Sequence, residues 1–190
     1  MRKKRIIIAI AVLVVLGNYI YQVHYNYRFT EINKNKFYKS GTIPPDKIVE
    51  YVDRYKIKTI IDLRESGSKD SVNNPEEAKD IKAERMAVNA IKGVNYFRVP
   101  SEQIPNQQNL DAYFTILDNE ENYPILVHCH HGIGRAGLYA ALYEIEYEGH
   151  SNEEARKNTR TLVKFSSFDN NTPKGEYIKS YIKRNESFVK

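Results

Sequence analysis

The stretch Val127–Gly137, VHCHHGIGRAG, holds the only cysteine of the chain, Cys129, and three of its five histidines. A thiol set among glycines and an arginine admits three chemistries: inert packing, metal ligation, or attack on an anion held by the loop. Gly132 and Gly134 allow successive backbone amides to converge on one point, and such a nest suits a phosphate dianion. Arg135 adds a planar fork that can grip two phosphate oxygens. A helix predicted to begin at about Arg135 presents free N–H groups and roughly half a positive charge to the same point. That field favours a thiolate, the nucleophilic form of cysteine. The site would therefore make its own nucleophile and hold the electrophile above it. Zinc sites usually draw their ligands from separated pairs. His128, Cys129, His130 and His131 are adjacent, cannot all face one ion, and have no second cluster to complete a site. Neither a metal nor any other cofactor is expected.

The elements around the loop decide whether it can work. YPILVHC is a continuous apolar run, as expected of a parallel strand covered on both faces. Before it, FYKS predicts a short strand, Asp46–Tyr55 a helix and Lys58–Leu63 a buried strand. Pro75 and the acidic pair Glu76–Glu77 open a helix to about Ile91, where Gly93 stops it. VNYFRVP predicts another strand, and Leu110, Tyr113, Phe114, Ile116 and Leu117 mark a helix face. Ser151 and Glu154 form a capping box, and Pro173 begins a last helix to about Arg184. Strands alternating with helices predict an α/β domain with a central, mostly parallel sheet flanked by helices. In such sheets ligands bind beyond the carboxyl ends of the strands, where Cys129 lies. Asp62 and Arg64 end a strand on the same side; their expected role is an ion pair bracing the loop.

These residues resemble a known family. His-Cys-x5-Arg, found as His128, Cys129 and Arg135, is the signature of the protein tyrosine phosphatase superfamily. FYKSGTIPPDKIVEYVDRYKIKTIIDLR and NYFRVP look like the compact dual-specificity-like members, notably bacterial membrane-associated ones. The likeness runs from about Phe37 to near Lys164. It implies that Cys129 attacks phosphorus to form a phosphocysteine, which water then hydrolyses. It implies that His130, His131, Gly132, Ile133, Gly134 and Arg135 bind the phosphate oxygens, and that His128 positions the cysteine from behind. Two departures stand out. The family usually has Ser or Thr after the arginine, where this chain has Ala136, so slower turnover is expected. It usually carries an aspartate general acid after the NYFRV-type strand, where this chain has PSEQIPNQQNLD. Glu102 is the candidate acid, since Asp111 falls too far into the next helix. Phosphotyrosine on protein is the first expected substrate, with a phospholipid or inositol phosphate headgroup second. The rivals are a phosphate-binding pseudophosphatase and, more weakly, a sulfur-transfer or arsenate-reducing enzyme.

The formal charge of +5 includes four basic residues at positions 2–5, leaving the rest almost neutral. No basic face for nucleic acid is expected, and one cysteine excludes an internal disulfide scaffold. Ile6–Gly17 has no polar side chain, and the apolar character continues weakly to Val23. Those 18 residues would span about 27 Å as a helix, close to the ~30 Å hydrocarbon core. The expected organisation is a membrane anchor over 1–23, a tether over 24–36 and a phosphatase domain over 37–190. The basic cluster places the N-terminus in the cytoplasm and the domain on the far side. A cleaved signal peptide is the alternative.

Overall fold

The computed structural model describes residues 2–67, 70–159 and 166–185. The expected C-terminal limits of the family likeness, near Lys164, and of the domain, at 190, lie outside the described residues. In chain order the elements are α1 (Arg2–His24), β1 (Thr30–Asn33), β2 (Phe37–Ser40), α2 (Ile48–Tyr55), β3 (Thr59–Asp62), α3 (Ala78–Asn89), β4 (Asn95–Arg98), α4 (Gln107–Leu117), a short 3₁₀ turn (Glu120–Asn122), β5 (Ile125–His128), α5 (Arg135–Tyr147), α6 (Asn152–Thr159) and α7 (Pro173–Ser180).

Five strands form one sheet in the order β1-β2-β5-β3-β4. All neighbours run parallel except β1, which lies antiparallel to β2 at the edge. β5 is central and wholly buried, which explains its unbroken apolar run. The pleat sends alternate side chains to opposite faces. Phe37, Ile61, Ile125 and Val127 pack toward α4 and α5. Tyr38, Ile60 and Leu126 pack toward α2 and the end of α3. α5 is buried from Arg135 to Ile145, so the helix behind the cysteine is locked on every side. Its outer flank meets Ala155, Phe168 and Ile178 from α6, the segment before α7, and α7.

Three boundaries differ from expectation. Residues 24–36, expected as a tether, instead supply β1, joined to β2 by a tight turn in which Lys36 N–H donates to Asn33 O at 3.1 Å. Phe29 fixes this segment by packing its ring against Tyr38, Tyr51 and Tyr55. One buried aromatic and four strand residues were too short a pattern to stand out from a polar stretch. α3 begins at Ala78 rather than Pro75, because Glu77 and Asp80 cap each other's backbone there. α7 stops at Ser180, short of Arg184, which turns back to pair with Asp118 and Glu146.

α1 is long and apolar enough to cross a membrane, and none of its apolar window is buried against the rest of the chain. A core helix of a soluble domain would bury that surface.

Candidate active site

Cys129 leaves the carboxyl end of β5 and is buried, with 3% exposure. The turn from Cys129 to α5 is shaped from outside. Thr42 N–H donates to His130 O at 3.0 Å. Arg28 Nη1 donates to His131 O at 2.9 Å, and Lys39 Nζ to Gly132 O at 3.2 Å. In a trans peptide the N–H points opposite to the preceding carbonyl. Tying three consecutive carbonyls outward therefore turns the amides of His131, Gly132 and Ile133 the other way, into the loop's concave side. Gly132 has φ +70°, and a Cβ there would lie 2.3 Å from Gly41 N. No other residue fits this backbone. Gly134 caps α5 without a side-chain bond to the first turn, which leaves the helix's leading amides available.

Arg135 opens α5 and is 2% exposed. Its guanidinium is held by carbonyls from two strand-end loops. Nη1 donates to Leu63 O at 2.8 Å and Ser101 O at 3.2 Å, and Nη2 to Asn73 O at 2.6 Å. The fork is thus set in one plane beside the cysteine loop before any anion arrives, while Nε and one Nη2 hydrogen make no described bond.

Beneath the loop lies a buried ion network. Arg64 makes a two-oxygen contact with Asp62, at 2.8 and 3.0 Å, and also pairs with Glu84. Its Nη1 lies 3.4 Å from Glu76 Oε1. His128 Nε2 sits 2.8 Å from Glu84 Oε1 without hydrogen-bond alignment. His130 Nδ1 meets Glu76 Oε1 at 2.6 Å. So Asp62 and Arg64 brace the strand end rather than line the cradle, and the two histidines beside Cys129 rest on Glu84 and Glu76. Burial pushes the Glu76 carboxyl up, but the bonds from His130 and the backbone and the charge of Arg64 outweigh it, holding its pKa at about 2. Asp62 behaves alike: burial is outweighed by His128 and Arg64, and its pKa is about 2. Burial, then His130 and Arg28, lower His131.

Glu102, the expected acid, is exposed, and its carboxyl makes no hydrogen bond among the described residues. Its neighbour Gln103 is the residue that reaches the loop, with Oε1 3.3 Å from where a Cβ on Gly134 would lie. Lys174 of α7 donates to that same oxygen at 2.6 Å, and its Nζ is also 3.3 Å from the Gly134 position. Burial lowers the pKa of Lys174 and Lys39, while a charge on Cys129 acts on both in the opposite sense. Arg28, Lys39, Gly41, Gln103 and Lys174 carried no signal in the sequence. They are single residues from distant segments, and only the folded chain brings them to the loop.

A buried cysteine beyond a parallel strand, a loop tied by three carbonyls and an arginine at a helix start are the groups a thiol-based anion site would use. The sequence family described as "DSP-PTPase phosphatase fused to NAD+ Kinase" matches residues 18–176. The chain belongs to this phosphatase family. Its fold is shared with the core catalytic domain of Siw14 from Saccharomyces cerevisiae, described as a PP-IP phosphatase, at 16% identity and TM-score 0.60, over 84% of this chain and 88% of that one. It is also similar to TpbA from Pseudomonas aeruginosa, at 17% identity and TM-score 0.54, over 78% and 81% of the two chains. No curated protein sequence matches significantly.

Proposed function

We propose that this phosphatase hydrolyses phosphomonoesters through a phosphocysteine on Cys129. In the first step the thiolate attacks phosphorus, an S–P bond forms, the ester P–O bond breaks, and the leaving oxygen takes a proton. In the second, water attacks phosphorus and the S–P bond breaks, releasing inorganic phosphate and the thiolate. Phosphoryl transition states build little new bonding, so placement and charge stabilisation supply most of the rate. His130, His131, Gly132, Ile133, Gly134 and Arg135 hold the phosphate oxygens. Glu102, the one acid on the 101–106 loop, is the proposed proton donor. The observation that supports the reading is the set of three carbonyls at residues 130, 131 and 132 bonded to Thr42, Arg28 and Lys39, which turns the following amides away from those partners.

Phosphotyrosine on protein is the first substrate class, as in the TpbA structure with bound phosphotyrosine. An inositol phosphate or phospholipid headgroup is the second, supported by the extra cations Lys39 and Lys174 near the sulfur. The test is hydrolysis of p-nitrophenyl phosphate, a phosphotyrosine peptide, an inositol phosphate and a phosphatidyl phosphate by the full chain. Cys129→Ser is expected to lower every rate by roughly 10³ or more; retained turnover in that variant excludes the proposal. A phosphate-binding pseudophosphatase is the second reading. Ala136 is fully buried beside the loop without a hydroxyl, and Glu102 faces solvent. Phosphate binding with neither burst nor turnover would select it.

A further inference from the structure

Lys174 is unusual for a lysine. It lies near the start of α7, on a helix not next to the loop in sequence, yet it is 9% exposed. A buried ammonium is costly unless anions or acceptors meet it. One of its three donors reaches Gln103 Oε1, and no second hydrogen bond joins it among the described residues. Nζ stands beside Gly134, the residue that caps α5. The chain's own Asp70 carboxylate is drawn to this field: its charge acts on both Lys174 and Arg135, and its side chain bonds Gln103. Lys39 differs. It approaches the loop from its outer side, where its ammonium holds the Gly132 carbonyl.

We propose that Lys174, aimed by Gln103, forms a second anion subsite at the edge of the phosphate cradle, which selects substrates carrying another phosphate adjacent to the scissile one. This rests on the phosphomonoesterase reading above and, within its second substrate class, narrows the headgroup to one that is vicinally phosphorylated. A single phosphate dianion is already met by Arg135, the loop amides and the helix start. The ammonium next to them is placed to neutralise a neighbouring phosphate. Gln103 spends its carbonyl on holding Lys174 and its amide on Asp70, so the remaining ammonium hydrogens of Lys174 are the donors offered to the anion. The shared chemistry has two sources, a free cyclitol phosphate or the same headgroup in a bilayer.

The experiment compares an inositol monophosphate with the vicinal inositol bisphosphate, each free in solution and each as a lipid headgroup in phosphatidylcholine vesicles, using the full chain in detergent. The parent is expected to favour the bisphosphate about tenfold in kcat/KM, mainly through KM, the size of one charged hydrogen bond. Lys174→Gln should bring that ratio close to one, and Lys174→Arg should restore most of it. Lys39→Met should lower both substrates by the same factor and leave the ratio in place. Preference within the free pair points to a soluble cyclitol, and preference only within the vesicle pair to a lipid headgroup; both support the subsite. A parent ratio near one overturns it, as does a Lys174→Gln variant that loses both substrates equally. Dissociation constants for the same free pair on Cys129→Ser report the ratio without turnover. A chain that binds with the predicted ratio but hydrolyses nothing would sink the phosphatase reading while keeping the subsite.

Discussion

At the scale of single residues, Gly132 and Ala136 make opposite demands on the loop. Gly132 has no alternative: its φ of +70° and the 2.3 Å approach to Gly41 N leave no room for a methyl group. Gly132→Ala is expected to cost about 2 kcal/mol or more of stability, through αL strain and backbone displacement, and to abolish turnover. Thermal unfolding and a phosphatase assay check it; a variant with parental melting and rate would contradict the geometry. Ala136 is fully buried against the core, and a hydroxyl there would sit in the first turn of α5. Ala136→Ser is expected to speed hydrolysis of the phosphocysteine severalfold. Rapid mixing with p-nitrophenyl phosphate should show a burst of nitrophenolate in the parent that shrinks in the variant. Glu102 is read through its leaving groups. General acids contribute about 10²–10⁴ in rate, so Glu102→Gln should slow alkyl phosphates far more than nitrophenyl phosphate, whose leaving group departs unprotonated. Equal losses on both would remove Glu102 from that role.

At the scale of elements, strand ends carry the site and buried ions hold the strand ends. Glu76, on the loop before α3, joins Arg64 after β3 to His130 after β5. Its carboxyl titrates at about 2 in the fold, against 4.5 ordinarily. A depressed folded pKa gives stability that is complete above the unfolded value and is lost as pH falls through the folded one. The affected window therefore runs from about pH 5 down to about pH 2, and Asp62 acts over the same range. The contribution of Glu76 is on the order of 2–3 kcal/mol. Glu76→Gln should be less stable than the parent at neutral pH and should flatten the acid limb of denaturant midpoints measured across that window; a parallel downward shift at every pH would argue against it. Much of this layer was legible in the sequence. β5, the cysteine loop and α5 follow from an apolar run, two glycines and one arginine in a row, because their contacts are local. The brace under them was half legible: Asp62 and Arg64 are two residues apart, and a strand-end ion pair was expected. Glu76 and Glu84 were not legible: nothing in the helix-opening pair Glu76–Glu77 says which carboxylate turns inward, and Glu84 is one charge among several along α3. β1 was missed for a related reason. Its hold comes from Phe29 stacking on rings 9, 22 and 26 residues away, and no local period records that.

At the scale of the whole molecule, the apolar helix and the cysteine loop are joined by one residue. Arg28 N–H donates to Gln22 O at 2.7 Å near the end of α1, and its guanidinium donates to His131 O. Tyr27 and Arg28 both sit at φ +51°, an unfavourable state for side-chain-bearing residues that the surroundings must enforce. Tyr27 O receives Gly41 N–H at 2.7 Å, so the same turn also steadies the strand end under the loop. Three residues lie between His24 and Arg28, and the bonds from Asn26 and Arg28 N–H to Tyr21 O and Gln22 O fold that short segment against the end of α1. If α1 lies in a bilayer, this short joint keeps the cysteine loop near the headgroup layer instead of letting it swing on a tether. α1 measures about 34 Å at the helical rise, enough to cross the hydrocarbon, and the basic residues at positions 2–5 favour the cytoplasmic side. The full chain is therefore expected to stay with membranes through alkaline carbonate washing, and to keep residues 1–23 in its intact mass. The orientation expected from those basic residues puts the domain in the lumen of sealed inverted vesicles, where it should resist added protease until detergent is supplied. A mass lacking the apolar segment would show a cleaved leader, and digestion of the domain without detergent would reverse the orientation. Arg28→Met separates the anchor from its coupling. It should remain membrane-bound, since α1 is intact, yet lose roughly tenfold in kcat/KM as the His131 carbonyl is freed and the amide after it loses its aim.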